Sequence, residues 1–404
     1  MLHRPVLVDI PQSILSSEAG PIAASCGFGP WTTPRSAPDD DALDAALGVI
    51  ASANRPVIVA GGGALLSGAR SEVYEMATAL HAPLTTTVPN LHFCADYPLQ
   101  LGIFGMTSHS LAAKFISQAD CIIILGAQLT DHTTDRGALL RDKAVVRCDS
   151  NLENLSAGNP SWISVLADVK LFASRVTSAL AEVSESKHSS WGETIANELN
   201  GFDSTKDFVD RSGPDHVDLR SAMVALNRLV PMPRTLVSGS GRSKTPSWRF
   251  LTCSEGGFIE GGTGFQVIGL NLPIAIGASF ANRERVTVCA SGDGGAMMSI
   301  PELAVAVEHK LPLIFAVAND SIYGSEYSTL ESEYPGLDPN FAKTTAPTFA
   351  SLAAGFGAKG YVIRNCASLN ELQSEFQDVS LPIVLDIKMD PQVNPDDQWL
   401  THHG

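Results

Sequence analysis

The chain alternates between two kinds of hydrophobic pattern. Short apolar runs occupy residues 56–60, 121–125 and 313–318, similar runs with one polar residue occupy 144–148 and 286–289, and each stops at glycine or at a polar cluster. Apolar residues at helical spacing follow several of them, as at Ile300, Leu303, Ala304 and Val307. Unbroken runs of this length predict strands buried on both faces, and strands alternating with helices predict parallel sheets. The expected class is α/β, with two doubly wound parallel-sheet domains at residues 39–185 and 217–390. A polar connector joins them at 186–216, a single strand and a Ser-, Gly- and Pro-rich linker precede them at 1–38, and a tail follows at 391–404.

One segment, residues 285–327, holds the candidate chemistry. A strand ends in Gly292-Asp293-Gly294-Gly295, a helical pattern runs to about Lys310, and a second strand stops at Asn319-Asp320. A right-handed crossover puts both strand ends on the same carboxyl edge of the sheet, where α/β proteins bind ligands. Gly294 and Gly295 would let a large anion approach backbone N–H groups at a helix start. Asp293 offers a hard carboxylate, Asn319 an amide oxygen, and a carbonyl at about Ser321 a third oxygen. With two oxygens from a diphosphate and one water, these complete the octahedron magnesium requires. A lone Gly-Asp-Gly is equally what a plain tight turn looks like. The 26 positions between Asp293 and Asn319, enough for one helix and one strand, favour the ligand site. A second glycine-rich strand end, Ser238-Gly239-Ser240-Gly241, could also meet diphosphate oxygens, through Gly239 and Ser240.

Composition narrows the field. With 404 residues, 44% of them apolar, the chain has ample core for two or three domains. A formal charge of −16 argues against nucleic-acid or anionic-membrane partners, since phosphate contacts need clustered Lys and Arg. No apolar run approaches a membrane span and no cleavage-site pattern opens the chain, so a cytoplasmic protein is expected. The seven cysteines, at 26, 94, 121, 148, 253, 289 and 366, form no CxxC pair, and the histidines, His402 and His403 included, show no ligand spacing. Gly61-Gly62-Gly63 does not complete a dinucleotide fingerprint, because Leu66 stands at its third glycine, and it reads better as a bare strand-to-helix turn.

The Gly-Asp-Gly and Asn spacing resembles the thiamin-diphosphate-binding motif of the acetolactate synthase and pyruvate decarboxylase superfamily, and the resemblance extends over about residues 4–390. It implies thiamin diphosphate and Mg²⁺ as cofactors, a middle domain at 39–185, and a first segment that closes an otherwise missing pyrimidine-binding domain. Aligning Gly269, Pro273 and Gly277 with the family pattern places Ile268 as the apolar wedge beneath the cofactor, although Gln266 and Asn271 depart from the usual small residues. Tyr323 opens the substrate-facing segment 323–327, in a chain that lacks the tryptophan acetolactate synthases carry further on. Residues 126–137 are similar to a flavin-contacting turn, but Gln128 stands where an Arg is usual, so no FAD is expected.

What the resemblance implies for catalysis is divided. The family's activating glutamate lies in the first domain, and no acid of this chain matches it, so no catalytic residue is assigned. One expectation is an enzyme acting on a 2-oxo acid, as a homodimer or homotetramer or with a separate pyrimidine-binding subunit, with benzoylformate decarboxylase-like or 2-hydroxyacyl-CoA lyase-like substrates as variants. The other is a non-catalytic cofactor-binding protein.

Overall fold

The computed structural model describes residues 7–18, 34–181, 189–261 and 267–395. Residues 4–6 of the expected first strand, Cys26, Gln266, His402 and His403 lie outside these ranges. At the described end of that strand, residues 7–10 form no strand, and Gln12–Leu15 is one helical turn. Leu7 is 94% exposed there. An extended segment becomes a strand only by exchanging backbone hydrogen bonds with a neighbour, and none is beside it among the described residues.

The first sheet contains β1 (Pro56–Ala60), β2 (Leu84–Thr86), β3 (Gln100–Ile103), β4 (Cys121–Leu125), β5 (Ala144–Asp149) and β6 (Ile163–Leu166). All its pairings are parallel, in the order β3-β2-β1-β4-β5-β6. β1 and β4 are buried at every position, which is why both read as unbroken apolar runs. The chain reverses direction between β1 and β4, where a doubly wound sheet would open its ligand crevice. Here the two turns touch instead. Gly63 N–H donates to the Gly126 carbonyl at 2.8 Å, and a Cβ on Gly61 would come within 2.3 Å of that same oxygen. The glycines at 61 and 63 serve turn-to-turn packing, in keeping with the bare-turn reading.

The connector is more structured than its polar composition suggests. Ser189–Leu199 is a helix that buries Trp191 and Ile195 against the first sheet, with Trp191 Nε1 donating to the Pro56 carbonyl at 3.1 Å. Further on, Asp207 accepts from Ser110 N–H at 2.8 Å and pairs with Arg249 at 2.9 Å, tying the first domain to the second.

The second sheet contains β7 (Arg234–Ser238), β8 (Phe258–Glu260), β9 (Val286–Gly292), β10 (Leu313–Asn319), β11 (Lys359–Ile363) and β12 (Ile383–Lys388), again all parallel. Its order is β11-β12-β10-β9-β7-β8. β7 leads outward to β8, and β9 then crosses to the other side of β7, so the switch point lies between the carboxyl ends of β7 and β9. The helical pattern after β9 is broken in two. Asp293–Ser299 and Leu303–Glu308 are separated by a 3₁₀ turn at Pro301, which has no N–H to continue the ladder. No helix of the described residues is long and apolar enough to cross a membrane.

Candidate cofactor site at the β7/β9 switch point

A pocket opens at this switch point, walled by three strand ends. β7 gives Ser240 to Lys244, β9 gives Ser291 to Gly295, and β10 gives Ala318, Asp320, Ile322 and Tyr323, with Ile268 and Asn271 at the floor. Asp293 is 2% exposed, and its two oxygens accept from Gly294 N–H and Ser321 N–H, each at 2.7 Å. The carboxylate therefore stitches the end of β9 to the turn after β10. Burial, and then the neighbouring Asp320 carboxylate, push it up to about 7. Burial also raises Asp320, while Arg242 at 3.1 Å pulls it back. Two buried carboxylates lining one pocket are a poor arrangement for an empty protein and a good one for a hard divalent cation, which would relieve both.

Asn319 does not face this pocket. Its side-chain N–H groups donate to Asp386 at 2.8 Å and to the Pro347 carbonyl at 3.2 Å, on the far side of the sheet. Successive side chains of a strand point to opposite faces, so Ala318 and Asp320 share the pocket face and Asn319 takes the other. The carbonyl expected from Ser321 is also engaged, accepting from Thr344 N–H at 2.8 Å. Ser321, with φ of 60°, contributes its N–H to Asp293 instead. No hydrogen bond reaches the Ile322 carbonyl among the described residues, and Ile322 lines the pocket.

Packing alone already requires Gly294 and Gly295, which line the pocket, to be bare. A Cβ on Gly294 would come within 2.5 Å of the Tyr323 ring, and one on Gly295 within 2.9 Å of Ser291 Oγ. The Gly294 N–H is taken by Asp293 itself. On the β7 side, Gly239 lies against Asn271, whose Oδ1 would sit 2.4 Å from a Cβ there, whereas Ser240 lines the pocket. Asn271 is 4% exposed and donates to the Ala290 carbonyl at 2.9 Å, so it braces the β7 and β9 turns at once. In the sequence, Asn271 stands out only as a departure from the family's usual small residue.

Ile268 lines the pocket at 37% exposure, with the apolar, half-open character a wedge requires. The pocket's positive wall comes from β7, through Arg242 and Lys244. Arg242 Nε and Ser243 Oγ are both sealed from water there without hydrogen-bond partners. Each such group costs about 1–3 kcal/mol when left so. The residues present thus fit a metal diphosphate, with carboxylates from the β9 and β10 ends and the cationic Arg242 and Lys244 from the β7 end in one pocket. Among the described residues there is no group of three His, Cys, Asp or Glu that could hold a metal by itself, so a ligand's oxygens would have to complete the shell.

The fold and this site define a thiamin-diphosphate-enzyme architecture, and sequence comparison agrees. The family model "Thiamine pyrophosphate enzyme, central domain" matches residues 43–176, and "Thiamine pyrophosphate enzyme, C-terminal TPP binding domain" matches residues 239–387. The chain belongs to the thiamine pyrophosphate enzyme family. It is 26% identical over 410 residues to a probable acetolactate synthase large subunit of Methanococcus aeolicus, covering 96% of this chain and 67% of that one. To acetolactate synthase 1, chloroplastic, of Zea mays it is also 26% identical, covering 95% and 61%. Among solved structures, the thiamine diphosphate-dependent 4-hydroxybenzoylformate decarboxylase of Rhodococcus jostii RHA1 superposes with a TM-score of 0.72 at 18% identity, over 94% of this chain and 69% of that one. A thiamin diphosphate-dependent enzyme from Mycobacterium smegmatis gives 0.67 at 22%, over 90% and 68%. The chain thus spans between about three fifths and just over two thirds of the length of these proteins.

Proposed function

We propose that this chain supplies the metal and diphosphate half of a thiamin diphosphate site for carbon–carbon bond chemistry on a 2-oxo acid. The observation that carries the reading is the pair of buried carboxylates, Asp293 and Asp320, lining one pocket together with the cationic Arg242 and Lys244. Asp293, Asp320 and the Ile322 carbonyl would hold a magnesium ion, in place of the Asp293, Asn319 and Ser321 set expected from spacing. Ser240 would meet the diphosphate, and Ile268 and Tyr323 would bound the thiazolium end. When bound, the cofactor supplies an electron sink for the carbanion left by decarboxylation. The protein's part is to orient it, exclude water and fix the proton-transfer groups.

The substrate reading rests on relatives named acetolactate synthases and on a fold neighbour named a benzoylformate-type decarboxylase. The pyrimidine half would come from a second domain or subunit. Val267, Ile268, Leu270, Met297 and Met298 offer apolar surface beside the pocket, each 37–56% exposed, on which it could close. Titration calorimetry with thiamin diphosphate tests the proposal. Binding that requires magnesium is expected, and heat of binding that is absent, or the same with a chelator present, would overturn it.

We further propose that the first sheet holds no flavin, on the contact between the Gly63 and Gly126 turns that fills its switch point. The purified chain should lack the yellow absorption of a flavin, and a stoichiometric flavin spectrum would refute this.

A further inference from the structure

A second cavity, of about 410 Å³, lies where the two domains meet. β3 is an edge strand of the first sheet, and it forms one wall together with the turn that leads into it. The connector closes the cavity with Leu199, Phe202 and Ser204, and the second domain with Trp248, Arg249 and Thr252. The cavity shares no lining residue with the cofactor pocket, although the helix Lys244–Phe250, which carries Trp248, starts there. Clefts of this size between domains are where small-molecule sites concentrate.

The lining is aromatic and polar, without net charge. Trp248, Phe202 and His109 supply flat rings, the last two with centroids 4.6 Å apart. Arg249 is the one ionised side chain in the lining among the described residues, and Asp207 neutralises it at 2.9 Å. Burial pushes both His92 and His109 down to about 4, so both imidazoles are neutral at pH 7. His92 gives its Nε2 proton to the Leu251 carbonyl at 3.2 Å, which leaves Nδ1 as a bare acceptor. The hydroxyls of Thr86 and Thr107, residues only 2% and 7% exposed, also have no partner among the described residues, and none of these three atoms is sealed from solvent. We propose that the cavity binds an uncharged, planar heteroaromatic molecule, which packs against Trp248 and Phe202 and donates a ring N–H to His92 Nδ1, with the Thr86 and Thr107 hydroxyls open to its other polar atoms. A charged ligand is disfavoured, because the cavity offers no unpaired opposite charge to offset its desolvation. Binding here needs neither magnesium nor thiamin diphosphate.

Indole is the probe, titrated calorimetrically into the full chain with a chelator present. Saturable one-site binding with a dissociation constant below about 1 mM is expected. 1-Methylindole keeps the rings and lacks the N–H, and should bind about 3- to 10-fold more weakly, the value of a neutral hydrogen bond. Indole-3-carboxylate should bind at least about 10-fold more weakly than indole. Two substitutions fill the cavity from different walls, Ala95→Trp from an exposed position of the first domain and Ser204→Trp from the connector, and each should abolish binding while thermal melting shows a folded chain. His92→Asn removes the Nδ1 acceptor at a φ of 67° that Asn tolerates, and should erase the preference for indole over 1-methylindole. No saturable indole binding, unchanged affinity in either filled variant, indole-3-carboxylate binding as tightly as indole, or an N–H preference that survives His92→Asn overturns the inference. Each of these outcomes leaves the cofactor reading standing, since that is decided by titration with thiamin diphosphate and magnesium.

Discussion

Asp293→Ala should abolish magnesium-dependent binding of thiamin diphosphate. The residue is asked to do two things, and the substitution removes both. As a ligand it supplies a charged oxygen to a hard cation whose other protein oxygens would be Asp320 and a neutral carbonyl. As a brace it accepts the N–H groups of Gly294 and Ser321, and so fixes the turn that carries Asp320 and Ile322. Loss of residues that only support a metal's ligands typically costs about 10- to 100-fold in affinity, so loss of a ligand that is also a support should cost more than about 100-fold. Asp293→Asn keeps one oxygen and should lose less. The fold should survive in both, since the strands beneath are packed by Val288, Cys289, Phe315 and Val317 and not by Asp293. Calorimetry with and without magnesium decides the matter, with thermal melting as the folding control. Equal cofactor affinity in Asp293→Ala and wild type would remove Asp293 from the site.

The parts of the structure that could be read from the sequence were those governed by local pattern. Cys121–Leu125 and Leu313–Asn319 are long enough and apolar enough to announce themselves as strands, and Gly292-Asp293 marks a strand end unaided. Leu84–Thr86 and Phe258–Glu260 were not legible, because three residues carry no period and their pairing is decided by the neighbouring strands. The Asn319 assignment shows a subtler limit. Spacing located the end of β10, but which of two adjacent polar residues faces the pocket depends on strand parity. Ala318 and Asp320 share that parity, and counting back from the buried Ala316 would have separated them from Asn319. The glycines show a different limit. Gly294 is bare because Tyr323 lies on it, and Gly239 because Asn271 does, contacts made across 29 and 32 positions of chain that no local motif displays. Arg242 was invisible for the same reason, its partners at Asp320 and Pro391 lying 78 and 149 residues away.

On its own, the 404-residue chain should not release carbon dioxide from pyruvate or another 2-oxo acid at an enzymatic rate, even with magnesium and thiamin diphosphate bound. The chemistry needs an acid placed to move a proton at the cofactor, and the pocket's carboxylates are otherwise engaged. Asp293 is tied to two backbone N–H groups and Asp320 to Arg242 and Ile322 N–H, while Glu326 stands exposed to water on the helix Gly324–Glu333. A positioned acid is typically worth about 10²- to 10⁴-fold, and an open pocket forgoes the further gain from excluding water around a carbanion. The apolar rim at Val267, Leu270, Met297 and Met298 marks where a covering domain would close it, and left uncovered it should promote self-association. The experiment follows carbon dioxide release with the chain alone, then with a pyrimidine-binding domain from a related enzyme added in trans. Background turnover should give way to a measurable rate only in the second case, accompanied by loss of self-association in sedimentation. Turnover of about 1–10³ per second by the chain alone would refute the prediction, and would require a proton-transfer acid outside the set formed by Asp293, Asp320 and Glu326.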